Sequence, residues 1–270
     1  MPVFMFGLAV SQAENWIDIL IVFTAIHLFL YPASNGYNSY FDKDEQSIGG
    51  LKHPPKVSTE LYWASLLFDG LAIGMGLLVS LEFSLMLFVY GLVSKAYSHP
   101  SIRLKKYPLI SWFIAGLFQG AFTLIMVIVG LKKIGFHEID WTIIHPALLS
   151  SALLWGSYPM TQVYQHEEDA RRGDITLSLK LGVKGTFIFT GVVFAAASLF
   201  YWFYLNQFSS IASWTFIGSM LPVIGFFNWW FFLVLKDEIK ANFTHTMRLN
   251  LISSLCLNVF FGWLYYYLLG

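Results

Sequence analysis

A twelve-residue stretch of this chain recurs: seven of its twelve positions keep their chemistry, and most of those are polar. Tyr31 to Asp42 (YPASNGYNSYFD) and Tyr158 to Asp169 (YPMTQVYQHEED) match at an offset of 127, with Tyr31, Pro32, Tyr37 and Asp42 recurring as Tyr158, Pro159, Tyr164 and Asp169. Asn35 answers Gln162, and Asn38 answers Gln165. Tyr31, Asn35, Asn38 and Asp42 have the spacing of one helix face, and so do Tyr158, Gln162, Gln165 and Asp169. Acids thicken beyond each stripe: Asp44 and Glu45 after the first, Glu167, Glu168 and Asp174 around the second. Two acidic clusters on one cavity repel unless a cation lies between them, and Mg²⁺ typically joins one or two carboxylates to substrate phosphates. The candidate metal set is therefore Asn38, Asp42, Asp44, Glu45, Gln165, Glu168 and Asp169. The same end of the chain's segments carries Arg103, Lys105, Lys106, Arg171, Arg172 and Lys180, bases suited to phosphate oxygens. A cation site, a phosphate site and apolar surroundings together suit a lipid diphosphate.

The elements that must position these groups lie in a membrane. The chain is 57% hydrophobic and 12% charged, about half the charge of a soluble domain. Apolar segments long enough to span run near 16–34, 61–80, 107–131, 141–164, 185–205, 213–235 and 248–269, with a shorter one near 82–98. Residues 2–12 read as a short or truncated first helix. The expected fold is an all-α polytopic bundle of about nine transmembrane helices, one domain over residues 1–270, with no soluble domain. Fourteen of the 16 Lys and Arg residues fall on one side of these segments, against Lys132 and Lys133 on the other, so the acidic and basic side is expected to be cytoplasmic. Both repeat copies then end outside-to-inside segments, which makes the repeat parallel. Zero net charge implies no nucleic-acid partner, and the lone Cys256 excludes an intrachain disulfide framework. The first residues lack a basic leader, so no cleavable signal peptide is expected.

A solvated helix end explains any single one of these charged residues as well. It does not explain amides one and two turns inside an apolar helix. Asp69 has no partner by sequence. Asn228, Asn250 and Asn258 serve interhelical hydrogen bonding as readily as ligation, and His53, His99 and His166 are too scattered for a zinc site.

NSYFDKDEQ followed by GGLKHPPK, YSHPSIRLKKYP at Tyr97 to Pro108, and QHEEDARRGDITLSLKLG at Gln165 to Gly182 resemble, in order, the three motifs of the UbiA family of intramembrane prenyltransferases. The resemblance implies a Mg²⁺-dependent enzyme that ionises a polyprenyl diphosphate to an allylic carbocation and passes it to an acceptor, usually aromatic, as in quinone-type pathways. It implies Asp42, Asp169 and Lys105 as catalytic residues, with Asn35, Tyr37, Tyr97, Gln162 and Tyr164 near the substrate. The chain departs from the family pattern at Ser39, Gln46 and Gln165, where aspartates are usual. Two other readings stay open. One is a lipid-diphosphate binder that no longer catalyses; the other is a transporter or lipid carrier with a pseudo-symmetric site. A CDP-alcohol phosphotransferase is disfavoured, because EDARRGD only echoes that class's longer motif.

Overall fold

A computed structural model describes residues 1–43, 47 and 50–270. Asp44, Glu45 and Gln46 lie outside the described residues. The described residues form ten helices and no strand. They are α1 (Pro2–Ser11), α2 (Trp16–Asp42), α3 (Thr59–Leu77), α4 (Leu81–Ser98), α5 (Pro108–Lys132), α6 (Trp141–Ser157), α7 (His166–Arg172), α8 (Leu177–Asn206), α9 (Ser210–Lys236) and α10 (Phe243–Leu269). Five of these (α2, α5, α8, α9 and α10) are long and apolar enough to cross a bilayer. α1 is ten residues long, about half the reach of a spanning helix, and packs between α10 and α5.

Two cores divide the bundle. Val22, Ile26, Leu30, Phe83 and Leu87 centre one among α1 to α5. Phe187, Tyr201, Phe216, Trp230 and Phe261 centre the other among α6 to α10. Moving α2, α3, α4 and α5 along the chain by the repeat offset lands them on α6–α7, α8, α9 and α10. The repeat is thus four helices deep. Stacked rings lock the second half: Phe6 on Phe261 at 4.6 Å and Tyr201 on Phe216 at 5.1 Å. Lipid is as apolar as these side chains, so close packing holds the helices together. At Gly120 a Cβ would lie 2.6 Å from the Ser151 backbone, which is how closely α5 and α6 approach.

The repeat copies fold differently, which corrects the expectation of two matching stripes. In the first, a π-helical turn over Ala25–Leu30 widens α2 just before Pro32 and relieves the clash of its ring with the preceding turn. The helix then runs on to Asp42. In the second, α6 stops at Ser157, a 3₁₀ turn covers Tyr158–Thr161, and α7 starts only at His166. Pro159 has no N–H for the Trp155 carbonyl, and the Trp112 indole donates to that carbonyl instead at 2.7 Å.

Candidate active site

Three carboxylates from the two halves meet over one end of the bundle, interleaved with three bases. Lys105, in the turn before α5, donates to Asp42 at the end of α2 and lies 3.8 Å from Asp174. Arg103 grips Asp174 with two parallel bonds, Nε at 2.9 Å and Nη2 at 2.8 Å. Arg172 reaches the Asp42 carbonyl and the Asp169 carboxylate, each at 3.4 Å. Thr176 adds a hydroxyl to Asp169 at 3.4 Å. Lys105 is only 8% exposed and Asp174 only 3%. In this arrangement the ammonium and guanidinium cations of Lys105, Arg103 and Arg172 stand between the acids of the two clusters.

Local sequence builds this arrangement. Gly173 ends α7 in the left-handed conformation (φ 73°), and the chain turns back so that the Asp174 amide bonds the Asp169 carbonyl at 2.9 Å. Thr176 caps α8, accepting from the Leu179 amide at 3.2 Å while its hydroxyl also serves Asp169. Burial pushes the Asp169 carboxyl up to about 6, against the pull of Arg172. The two bonds from Arg103 to Asp174 raise the Arg103 guanidinium above its ordinary value. Burial lowers His166, which bonds Ser178 at 2.8 Å and ties α7 to α8.

Below the charges lies a cavity of about 190 Å³ with a polar lining that includes Ser34, Asn35, Asn38, Ser98, Gln119 and Tyr158. Asn38 accepts from Ser98 at 2.5 Å, and the Tyr97 and Tyr158 hydroxyls bond each other across the two halves at 2.7 Å. Ser34, Asn35, Tyr90 and Gln119 are shared with a deeper chamber of about 340 Å³, walled by Leu153, Leu154, Phe194, Leu257 and Phe261. The space thus passes from charge through hydroxyls and amides to hydrocarbon.

Asn35, Asn38, Asp42, Tyr97, Arg103, Lys105, Asp169 and Arg172 come together at or above this cavity. Glu168 is buried beside them but lines a separate hollow with Tyr164 and Gln165. Gln165 spends its amide on the Ser47 carbonyl at 3.1 Å, and Tyr164 packs on Phe243. Gln165 is therefore not the mirror of Asn38. The Gln162 side-chain oxygen is buried with no hydrogen-bond partner among the described residues. Tyr37 packs behind α2 against Tyr62 and under Lys95, whose ammonium also pairs with Asp69. Lys106, Arg171 and Lys180 are exposed and outside the network.

Tyr158 was visible as a repeat position and Tyr97 as a motif residue, but nothing in the sequence paired their hydroxyls. Another lining residue escaped sequence reasoning. Gln119 is an amide in mid-segment, a signal in itself. It sits on a second π-helical stretch, Leu117–Phe122, and Ser151 repairs the backbone there by accepting from Ala121 N at 2.8 Å and donating to Gly116 O at 2.9 Å.

The donors fit a hard cation. Asp42, Asp169, Asp174 and Asn38 offer only oxygen ligands, and one or two carboxylates suffice when phosphates complete the shell. No group of three or more acidic, His or Cys side chains is arranged as a ready metal cage among the described residues.

Fold and site together define an intramembrane helical bundle built to hold a charged headgroup over an apolar pocket. The chain matches the UbiA prenyltransferase family over residues 1–252, and it belongs to that family of prenyltransferases. A UbiA homologue from Archaeoglobus fulgidus bound to DMAPP and Mg²⁺ superposes with a TM-score of 0.63 at 17% identity, covering 99% of this chain and 95% of that one. The same homologue bound to GPP and Mg²⁺ gives 0.63 at 17% identity, again over 99% and 95%. A digeranylgeranylglyceryl phosphate synthase gives 0.59 at 19% identity, over 96% and 90%. No curated protein sequence matches significantly.

Proposed function

We propose that this prenyltransferase transfers a prenyl group from a polyprenyl diphosphate to an aromatic or other lipid acceptor, with Mg²⁺ as cofactor and the charged end of the bundle facing the cytoplasm. Quinone-type biosynthesis is the pathway class we favour. The observation that carries the reading is the interleaved set of Asp42, Lys105, Asp174, Arg103, Asp169 and Arg172 above a cavity that turns apolar with depth. Homologues bound to DMAPP or GPP with Mg²⁺ support it.

Asp42 and Asp169, with Asn38 and Asp174, would hold the cation. When bound, Mg²⁺ neutralises charge that grows on the diphosphate as the C–O bond breaks. The resting ion pairs would exchange partners: the carboxylates would hold the cation, and Lys105, Arg103 and Arg172 would bind phosphate oxygens. These bases stabilise the negative charge that grows on the leaving group. The Tyr97–Tyr158 pair marks the boundary at which the allylic carbon would lie. Aromatic faces such as Tyr90 and Phe118 stabilise positive charge there by roughly 0.5–2 kcal/mol each. The apolar chamber takes the prenyl tail and keeps water from the carbocation. The acceptor attacks that carbon, forms the new bond and gives up a proton, which the departed diphosphate takes up.

The experiment is transfer of radiolabelled prenyl diphosphate by the purified protein. Asp42→Asn combined with Asp169→Asn should abolish transfer while the protein stays folded. Undiminished turnover by that double variant would overturn the site assignment. A binder without catalysis is the second reading, favoured by Ser39 and Gln165 at usual aspartate positions. It predicts diphosphate binding with no transfer to any acceptor.

A further inference from the structure

At the opposite end of the bundle a separate cavity of about 490 Å³ opens between the C-terminal ends of α1, α5 and α8 and the N-terminal end of α6. Lys132, His145, Tyr204 and Gln207 supply its principal polar groups, Ile128 and Ile143 belong to its apolar wall, and no carboxylate lines it. The His145 ring is fixed from two sides. Trp141 stacks on it at 5.5 Å, and Tyr204 meets it edge-on at 5.0 Å.

Charges near this cavity are distributed unevenly. Asp18 is taken by Lys133 at 2.9 Å and by Asn15 at 2.8 Å. Asp140 accepts from the Thr142 amide and hydroxyl at 3.0 and 2.6 Å, and Glu138 accepts from the Gly135 amide at 2.8 Å. Lys132 has no carboxylate within ion-pair distance among the described residues. It is one of only two basic residues that the sequence places at this end, and the other is occupied. The Lys132 ammonium beside the His145 and Tyr204 donors, with no carboxylate in the lining, selects an anion, and the apolar wall selects one with a hydrocarbon body. The position at the helix ends is headgroup depth, where Lys and aromatic side chains anchor lipid. Trp141 (63% exposed) and Phe208 (43%) extend the surface along which acyl chains would lie.

We propose that this cavity binds the phosphodiester of an anionic membrane phospholipid in the leaflet opposite the prenyl-transfer site. Lys132 provides the charge, and His145 and Tyr204 orient the phosphate. The site stands on the membrane-spanning fold and not on the prenyl-transfer chemistry. Native mass spectrometry of the protein released from bilayers containing phosphatidylglycerol tests it. Wild type should retain one phosphatidylglycerol. Lys132→Ala and His145→Ala should each cut retention about tenfold, the equivalent of one lost charge-assisted bond. Lys132→Arg should keep it, and Lys240→Ala, a charge deletion at the other end, should leave it unchanged. Thermal unfolding of each variant reports that it is folded. Retention unaffected by both alanine variants would overturn the proposal. So would equal loss in Lys240→Ala, or displacement of the lipid by millimolar inorganic phosphate, which would mark a site for free anions.

Discussion

Removing the Lys105 ammonium should move two measurable quantities in opposite directions. Lys105 is buried between Asp42 and Asp174, whose side chains are only 7% and 5% exposed. At 3.8 Å and an effective dielectric near 20, one such charge pair is worth at most about 4 kcal/mol. In the resting protein that attraction competes with any cation for Asp174, and the Lys105–Asp42 pair competes likewise for Asp42. In turnover the same ammonium faces the diphosphate. Lys105→Met should therefore tighten apparent Mg²⁺ binding roughly tenfold, which takes about 1.4 kcal/mol of the pair energy. It should lower kcat about 10²–10³-fold, the usual cost of one preorganised electrostatic contact to a transition state. Radiometric transfer assays across a Mg²⁺ titration give both numbers from one preparation. A hydrophobic replacement tests the charge without leaving a hole, and Lys105→Arg should recover part of kcat. A folded Lys105→Met variant with kcat within threefold of wild type would refute the reasoning. So would weaker Mg²⁺ binding, because a merely structural lysine would loosen the site for cation and substrate alike.

Four further outcomes follow from the structure. Asp169 titrates near 6 when cation-free, so below that pH a bound cation must expel a proton; Mn²⁺ affinity measured by paramagnetic resonance should fall up to about tenfold per pH unit there, and Asp169→Asn should flatten the limb. The same shift, upward from 3.8, means that Asp169's contribution to folding falls as pH rises between those two values, so metal-free Asp169→Asn should gain stability relative to wild type at pH 7 in thermal unfolding. Gly182 kinks α8 at φ 69° and ψ 174° with open space around it, so Gly182→Ala should cost about 1–3 kcal/mol through backbone strain alone, read by denaturant titration in micelles. Ser151→Ala strands Ala121 N and Gly116 O in the π-turn, and should cost about 1–3 kcal/mol with a larger effect on kcat than on thermal stability, since Gln119 rides on that turn.

The membrane class and the helix positions were legible because bilayer thickness imposes a length on apolar segments. The α5 segment expected near 107–131 is observed at Pro108–Lys132, and the one near 213–235 within Ser210–Lys236. The site was legible in part, because polar groups at helix ends are too costly to be arbitrary. Three features were hidden. Asp69 and Lys95 are paired across α3 and α4, and no periodicity links them. Tyr37 shares a repeat position with Tyr164, yet neither lines the cavity; which face of a helix meets which neighbour is decided by packing. The fate of Pro159 was also unreadable, since Pro32 stands in the same local sequence and leaves its helix continuous.

That difference between two equivalent prolines shapes the site. Had α6 continued through Pro159 as α2 continues through Pro32, Asp169 would stand at the tip of a rod, facing Asp42 across the bundle as a like charge. Instead the helix breaks, and the chain spends Tyr158 to Gln165 in turns before re-entering helix at His166. α7 lies as a separate short element whose Gly173 turn brings Asp174 back beneath Asp169. Asp174 has no counterpart in the first copy's stripe, and it holds Arg103 and approaches Lys105. The broken half thus supplies the carboxylate that orders the bases, while the unbroken half supplies the Asn38–Asp42 ladder into the cavity. A repeat that began as two like halves has divided the work by folding one proline differently. Straightening that break should scatter the bases: replacing Pro159 with Ala restores the N–H that Trp155 lacks and competes with the Trp112 indole for its carbonyl. We expect Pro159→Ala to lower kcat more than thermal stability, and Trp112→Phe, which removes the competing donor, to deepen the loss in the double variant. Additive, independent effects of the two substitutions on kcat would show that the break is not held by this exchange.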